Sequence, residues 1–266
     1  MNIIAIDIGN TNIDIGLFLE SEEQFIKSIP GKSREKLEDC LEAAWQQIPA
    51  AESSKEGKRD GVIVISSVKP DWTKLVLKIA KDKLGEKPYI IGKDIPLPMA
   101  LFVDEPDKVG TDRIVAAAAA YAVVEGAVTV VDFGTALTID LVDENGVFQG
   151  GAICPAFEIS AKALKENTAQ LPKVKVTRPT CPYGKNTTEA INCGLYYSAL
   201  GTIEEIVRLY AEKLGKWPQT VLTGAAAEVI KDDCEFIDSY VPNLVVKGIV
   251  LTYQKYVEKK TESIGC

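Results

Sequence analysis

Three short motifs in this 266-residue sequence combine a carboxylate with glycine and with hydroxyl or amide side chains. They are Asp7–Asn12, Gly110–Arg113 and Asp132–Thr138. In the first, Asp7 follows an apolar run. Its carboxylate at a strand end is a natural ligand for hydrated Mg²⁺, which prefers oxygen donors. Gly9 lets the backbone approach a phosphate group, and successive N–H groups in such a turn form an anion-binding nest.

The third motif repeats the chemistry of the first. Asp132 and Gly134 follow another apolar run, and Thr135 and Thr138 add hydroxyl groups. Each turn taken alone is equally typical of an ordinary β-turn with polar residues. The two together favour a phosphate site, because a nucleoside triphosphate held between two lobes needs two phosphate-cradling turns. Phosphoryl transfer depends mainly on positioning and charge neutralisation, which such turns supply.

The second motif opens an Ala-rich segment that is typical of a helix. Asp112 is well placed to cap that helix, which is the simplest interpretation. A functional interpretation makes Asp112 the base that accepts a hydroxyl proton, with Arg113 binding a substrate carboxylate or the developing phosphoryl charge. A helix N-terminus adds positive potential for an anionic substrate. The spacing alone leaves both interpretations open.

The composition excludes several classes of chemistry. The sequence contains no histidine, which removes Ser-His-Asp and Cys-His hydrolysis and all His-ligated metals. Any general base must therefore be Asp, Glu, Lys, Tyr or Cys. The six cysteines form no CxxC pair, so neither a zinc site nor a disulfide framework is indicated.

Charge and hydropathy bear on partners and location. The net charge of −8 and the pI of about 4.9 argue against nucleic-acid and anionic-membrane partners. Asp7 interrupts the first apolar run before it reaches membrane-spanning length. The N-terminus has no basic segment of the kind that begins a signal peptide, so we expect a cytoplasmic protein.

Hydrophobic periodicity predicts the elements that position the motifs. Residues 3–18 predict two strands joined by a turn at Gly9-Asn10, and a further strand is expected near Gln24–Ile29. A helix capped by Ser33, a strand at Gly61–Ser66 and a helix from about Asp71 to Gly85 follow. The remaining expected elements are a short strand at 89–91, a helix at 112–124, three strands within 128–153 with a hairpin turn at Asn145-Gly146, a mostly helical segment at 186–214, a strand at 220–223 and a closing helix at 244–259.

The order of these elements indicates an internal duplication. Asp7 and Asp132 occupy equivalent places in two strand–turn–strand segments, at an offset of 132 − 7 = 125 residues. We therefore expect a mixed α/β protein with two related lobes, residues 1–115 and residues 116–266. A Rossmann dinucleotide site is not indicated, because Gly9 is followed by a second strand instead of a GxGxxG turn that opens a helix.

The ordered motifs resemble those of type III pantothenate kinases. The resemblance extends through Gly150–Ile153, Thr168–Pro172 and Asn186-Thr187 to the C-terminal helix, and so covers nearly the whole chain. It implies the actin-like ATPase fold of the acetate and sugar kinase/Hsp70/actin superfamily, with two duplicated ribonuclease-H-like lobes and mixed central sheets. It also implies phosphorylation of pantothenate by ATP, the first step towards coenzyme A, in a cytoplasmic homodimer.

The resemblance also implies roles for individual residues. Asp7 to Asp14 border the ATP phosphates, with Asp7 near Mg²⁺ or another divalent cation, and Asp132 binds a monovalent cation, K⁺ or NH₄⁺. Asp112 is the implied proton acceptor. The residues implied to contact ATP are Asp7, Gly9, Asn10, Thr11, Asn12 and Thr135. Those implied to contact pantothenate are Gly110, Thr111, Asp112, Arg113 and Thr187.

Two positions depart from the pattern of that family. Ala156 and Ala225 stand where glycines are usual, and a Cβ atom near the adenosine could crowd a base or ribose that needs close backbone approach. These departures motivate an alternative, a non-catalytic or weakly active relative that acts as a binding or transcription-accessory protein. The presence of Asp7, Asp112 and Asp132 argues against it, since a regulator needs neither a base nor cation ligands.

Overall fold

The computed structural model describes residues 1–51 and 58–264, and Cys266 lies outside them. The chain forms two compact units. The first comprises Met1–Met99, Asp107–Ala119 and Val245–Cys266, and the second comprises Ala100–Pro106 and Ala120–Leu244. The expected single cut after residue 115 stays a prediction.

The first unit is built on a five-stranded mixed sheet. Its elements are β1 Ile3–Ile8, β2 Asn12–Leu19, β3 Glu22–Pro30, α1 Arg34–Gln47, β4 Val62–Ser67, α2 Pro70–Ile79, β5 Tyr89–Ile90, most of α3 Thr111–Val124 and nearly all of α6 Leu244–Ile264. The strand order is β3-β2-β1-β4-β5. Strands β1, β2 and β3 pair antiparallel, whereas β4 lies parallel to β1 and β5 parallel to β4.

The alternation of side chains along β1 divides the core of this unit between the two faces of its sheet. Ile4, Ile6 and Ile8 pack with apolar side chains of α1 and α2. Ile3 and Ala5 pack on the opposite face with apolar side chains of α3 and α6. Because successive strand residues point to opposite faces, Asp7 lies on the α3 side of the sheet.

The second unit repeats this architecture. Its elements are β6 Val128–Phe133, β7 Ala136–Val142, β8 Phe148–Pro155, α4 Phe157–Glu166, α5 Thr187–Leu214, β9 Gln219–Thr223 and β10 Ser239–Tyr240. The strand order is β10-β9-β6-β7-β8, with β6, β7 and β8 antiparallel and β9 and β10 parallel to their neighbours. Read from β8, the order and the strand directions match those of the first sheet. The expected duplicated, mixed-sheet α/β fold is therefore confirmed.

Most of the expected elements are present, with shifted ends. Helix α2 begins at Pro70 and continues into a π-helical turn that ends at Gly85, whose φ of +70° is the left-handed cap that glycine adopts readily. The Asn145-Gly146 hairpin turn is confirmed, with Gly146 donating to the Asp143 carbonyl oxygen at 3.1 Å. Ser33 is the N-cap of α1, but its side chain makes no capping hydrogen bond. Helix α4 and strand β10 were not predicted.

Within residues 1–51 and 58–264, no helix combines the length and the apolar character that crossing a bilayer requires.

Two helical glycines should respond oppositely to replacement by alanine. A Cβ atom at Gly248 in α6 would lie 2.2 Å from the carbonyl oxygen of Val115, whereas one at Gly194 in α5 would meet no atom within 4 Å. We expect Gly248→Ala to lower the free energy of unfolding by about 1–3 kcal/mol through overpacking. Gly194→Ala should raise it by roughly 0.5–1 kcal/mol through helix propensity. Urea unfolding measures both, and a neutral Gly248→Ala would show that α6 and α3 tolerate separation.

Candidate active site

The turn between β1 and β2 carries the first acidic motif. It is closed by a hydrogen bond from the N–H of Gly9 to the carbonyl oxygen of Asn12, at 3.1 Å. Asp7 lies one residue before the end of β1, directly opposite Asp14 on β2 and opposite Ser66 on β4. The Asp7 carboxylate therefore lies at the edge of the sheet where β1 and β4 end and the turn begins.

Asp7 and Asp14 form a cross-strand pair of carboxylates. Directly opposed residues of antiparallel strands have Cβ atoms about 4.5–5.5 Å apart, and like charges in that arrangement destabilise a sheet. Burial raises the pKa of Asp14, and a hydrogen bond with Ser28 opposes that rise. Two oxygen-donor side chains on one face suit a hard divalent cation, which also removes their repulsion. Among residues 1–51 and 58–264, no group of three or more acidic, cysteine or histidine side chains is arranged to hold a metal ion.

The second motif lies at the same edge because Thr111 binds the end of β4. Its hydroxyl group is 2.9 Å from the Ser66 hydroxyl oxygen, and it accepts from the N–H of Ser67 at 3.2 Å. It also approaches the carbonyl oxygen of Ser67 at 3.3 Å. Since Ser66 pairs with Asp7, the start of α3 and the end of β1 are neighbours.

Asp112 is partly buried at the first turn of α3. Burial raises the pKa of its carboxyl group, while the N–H of Arg113, donating to Oδ1 at 2.8 Å, and the Arg113 charge lower it by less. A Cβ atom at Gly110 would lie 2.3 Å from Oδ1, so glycine leaves the space that the carboxylate occupies. A carboxylate with a raised pKa is a better proton acceptor than a solvated one.

The second unit presents the third motif in the equivalent place. Asp132 lies one residue before the end of β6, opposite Thr138 on β7 and Thr223 on β9. The turn is closed by the N–H of Gly134, which donates to the Ala136 carbonyl oxygen at 3.0 Å. Thr135 lies in this turn.

Gly224 lies against this turn with φ of +96°, a conformation that L side chains rarely adopt. A Cβ atom there would lie 2.5 Å from Oδ1 of Asp132 and 2.5 Å from the Phe133 carbonyl oxygen. The N–H of Ala226 donates to that same oxygen at 2.8 Å. The segment after β9 is thus packed directly on the acidic turn.

Thr187 is the first residue of α5 and is exposed. The Asn186 side chain caps the helix by accepting from the N–H of Glu189 at 3.0 Å. The preceding loop is fixed to α5 by Asn192, whose side chain accepts from the N–H of Thr177 and donates to its carbonyl oxygen. A Cβ atom at Gly184 would lie 2.1 Å from the N atom of Ala190, so the loop backbone touches the helix backbone.

The structure brings some of the expected residues together within each unit. In the first unit the Asp7–Asn12 turn and Gly110–Arg113 share one sheet edge. In the second unit Asp132 and Thr135 share one turn, and Thr187 begins a separate helix. Ser66, Ser67 and Thr223 were not predicted from the sequence, because their partners are distant in the chain and no motif marks them.

Comparisons with known proteins identify the family of this chain. A sequence model of the family described as type III pantothenate kinase matches residues 3–209. The chain belongs to this family. A type III pantothenate kinase of Bifidobacterium animalis subsp. lactis is 36% identical over 255 residues, which cover 96% of this chain and all of that protein. Those of Dehalococcoides mccartyi strain CBDB1 and Agathobacter rectalis are each 34% identical, over 95% and 97% of this chain and 95% and 98% of their own lengths. The resemblance seen in the motifs is confirmed.

Solved structures support the fold. A Campylobacter jejuni protein described as a Baf family transcriptional activator has a TM-score of 0.57 at 18% identity, covering 96% of this chain and 98% of that one. The ethanolamine utilization protein EutJ of Carboxydothermus hydrogenoformans has a TM-score of 0.50 at 14% identity, covering 94% and 89%. At such identities the likeness concerns the fold alone.

The two departures from the family pattern lie in different environments. Ala156 is buried among the apolar side chains packed on α4 and α5, so its methyl group fills the core of the second unit. Ala225 is exposed, and its φ is not positive. The conformation at Ala225 therefore accommodates a side chain. That the Cβ atom of Ala225 crowds the adenosine stays a prediction.

The raised pKa of Asp112 predicts a pH-dependent stability change in Asp112→Asn. A carboxyl group whose pKa is higher in the folded state costs stability when ionised, and this cost develops as the pH rises from the unfolded pKa through the folded one. Asp112→Asn should therefore be more stable than the wild type at pH 7.5. The difference should shrink at the lowest pH where the wild type stays folded. Urea unfolding across this range measures it, and a less stable variant at pH 7.5 would favour the helix-capping role.

Proposed function

We propose that this chain transfers the γ-phosphate of ATP to the primary hydroxyl group of pantothenate, giving 4'-phosphopantothenate, the first step of coenzyme A biosynthesis. The proposal rests on the family membership and on one observation in particular. Asp112, a carboxylate whose pKa is raised by burial, is the second residue of a helix whose first residue, Thr111, is bound to the strand end beside Asp7. This arrangement supports the assignment of Asp112 as the base and of Asp7 as a cation ligand, since both residues lie at one edge of one sheet.

On the acceptor side, Asp112 accepts the proton of the pantothenate hydroxyl group. Arg113 binds the pantothenate carboxylate through its planar fork, or stabilises the developing charge on the phosphoryl group. Gly110, Thr111 and Thr187 contact the remainder of the substrate. The rigid attachment of Thr111 to β4 supports this assignment, since it fixes where the Asp112 carboxylate lies.

On the nucleotide side, the residues of Asp7–Asn12 bind the ATP phosphates through backbone N–H groups and polar side chains. Asp7, with Asp14 opposite, holds Mg²⁺ or another divalent cation, which neutralises phosphate charge when bound. Asp132 binds K⁺ or NH₄⁺, and Thr135 contacts ATP. The homodimer and the cytoplasmic location stay predictions.

The alternative, a binding or transcription-accessory protein, has no observation in its favour. The relatives at 34–36% identity all carry the kinase name. The similarity to the Baf family protein, at 18% identity, concerns the fold alone. Both the proposed base and the proposed cation ligands are present.

Purified protein should form phosphopantothenate only when ATP, Mg²⁺ and pantothenate are all present. Turnover should rise with K⁺ or NH₄⁺ relative to Na⁺, and Asp132→Asn should weaken that dependence because it removes the charge that attracts the cation. A coupled ADP assay with product detection by mass spectrometry measures both. The absence of product at saturating ATP would contradict the proposed function.

Asp112→Asn should lower kcat by roughly 10²–10⁴-fold, the range that general base catalysis contributes. The wild-type rate should fall on the acid side as Asp112 is protonated, at a pH above the ordinary range for aspartate, because burial raises its pKa. Asp71→Asn is the matched control, since the Asp71 side chain is 90% exposed on α2. Equal activity of Asp112→Asn and Asp71→Asn would remove Asp112 from the mechanism.

A further inference from the structure

Lys69 lies beside the β1–β2 turn, and no motif of the sequence drew attention to it. It is the last residue before α2, and its backbone is held on both sides. Its N–H donates to the Ser67 hydroxyl oxygen at 3.1 Å, and its carbonyl oxygen accepts from the Thr73 hydroxyl group at 3.0 Å. The two hydroxyl groups are themselves 2.6 Å apart. The backbone of Lys69 is therefore held in one conformation between the end of β4 and the start of α2.

Two contacts hold the Lys69 side chain against the turn. Its ammonium group donates to the carbonyl oxygen of Asn10 at 3.0 Å. It also lies 3.5 Å from the centroid of the Trp72 ring, within the range of a cation–π interaction. Long lysine side chains at surfaces lose rotamer freedom when they are held in this way, which costs free energy.

Trp72 is fixed in turn by Gly31, the residue that follows β3. A Cβ atom at Gly31 would lie 1.9 Å from the Trp72 ring, so the indole packs directly on glycine backbone. The N–H of Gly31 donates to the carbonyl oxygen of Thr11 at 3.1 Å. The indole, the lysine and the turn Gly9–Asn12 therefore form one connected surface.

The charge of Lys69 is poorly explained by the stability of the helix. A helix N-terminus carries partial positive charge, so a cation immediately before α2 is unfavourable there. Asp71 in the first turn of α2 supplies an anion, but its carboxylate is paired with Lys74 at 3.7 Å. The ammonium group has three N–H donors, and the Asn10 carbonyl oxygen accepts from one of them. Asp7 and Asp14 lie opposite each other on the two strands that the turn connects, and their charges repel an anionic ligand. The divalent cation proposed at Asp7 offsets part of this charge, and a triphosphate at this turn requires further positive charge.

We propose that Lys69 is a phosphate-binding residue of the ATP site, donating to triphosphate oxygens while it remains in contact with the turn. This inference rests on the proposed function, since it takes ATP as the ligand of the turn. Trp72 holds the ammonium group in place before the nucleotide binds, which lowers the entropy cost of ordering a lysine side chain.

A purely structural role makes a different prediction from a phosphate-binding role. If Lys69 only satisfies the Asn10 carbonyl oxygen, a neutral hydrogen-bond donor should restore at least part of the function that Lys69→Met loses. If the charge of Lys69 binds phosphate, only another cationic side chain should restore ATP binding. Lys69→Gln keeps a donor without the charge, Lys69→Arg keeps the charge, and Lys69→Met keeps neither.

The experiment measures KM for ATP, KM for pantothenate and kcat for these three variants, together with ATP binding by titration calorimetry. Lys69→Met and Lys69→Gln should raise KM and Kd for ATP by roughly tenfold or more, the size of a hydrogen bond to a charged group. KM for pantothenate should change by less than about twofold, since only the nucleotide loses a contact. Lys69→Arg should stay near the wild type. The ATP affinity of Lys69→Met should also depend less on ionic strength.

Two lysines of the same unit serve as controls. Lys74 lies on α2 with its side chain 79% exposed, and Lys32 follows Gly31 and is exposed. Lys74→Met and Lys32→Met remove the same charge without touching the Asn10 contact, so both should bind ATP as the wild type does. An equal loss in these controls would assign the effect to net charge and overturn the proposal.

Three further results would also overturn it: an unchanged Kd for ATP in Lys69→Met, recovery of affinity in Lys69→Gln, or a shifted KM for pantothenate alone. Urea unfolding of each variant separates these results from loss of the fold. If the wild type binds ATP but forms no phosphopantothenate, the proposed function fails. The calorimetric series then still decides whether Lys69 binds phosphate.

Discussion

The hydroxyl group of Thr111 connects two parts of the first unit that are more than forty residues apart in sequence. It contacts the side chain of Ser66 and the backbone of Ser67, and those residues end the strand that lies parallel to β1. The parallel pairing brings the ends of β1 and β4 to the same edge, where ligands of open α/β sheets bind. Without the Thr111 contacts, α3 could begin elsewhere on the sheet, and Asp112 would have no fixed position relative to Asp7.

The duplicated architecture makes the differences between the two acidic turns informative. Asp7 is flanked by Asp14 and Ser66, whereas the equivalent Asp132 is flanked by Thr138 and Thr223. Two carboxylates suit a divalent cation, because their negative charge offsets the free-energy cost of dehydrating a hard ion. A single carboxylate among hydroxyl groups is a weaker field, which suits a monovalent cation. The neighbours that β-sheet register supplies therefore agree with the two proposed cation assignments.

How much of the fold and of the candidate site could be predicted from the sequence depends on how far apart in the chain the contacting residues lie. The β1–β2 and β6–β7 turns and the start of α3 were predicted, because local periodicity and glycine positions encode them. The contacts of Ser66 and Lys69 were not predicted, because the neighbours of a polar residue at a strand end depend on the parallel pairing of that strand. Helix α4 was missed because only Ala156 and a short amphipathic stretch mark its beginning. The position of Asp14 opposite Asp7 could not be predicted without the register of the β1–β2 hairpin.

The absence of histidine gives the environment of Asp112 its importance. A solvated aspartate, with a pKa near 3.9, is a weak base towards an alcohol, so a protein that relies on aspartate must change its surroundings. Burial at the start of α3 does this, and Gly110 makes the space by lacking a Cβ atom. The same burial disfavours the ionised carboxylate in the folded state, which is a cost in stability at neutral pH. The hydrogen bonds of Thr111 offset part of that cost, because they fix the helix start independently of Asp112. The proposed base and the residue that fixes its position are therefore adjacent but distinct, so the unfavourable burial of Asp112 is separate from the stabilising hydrogen bonds of Thr111.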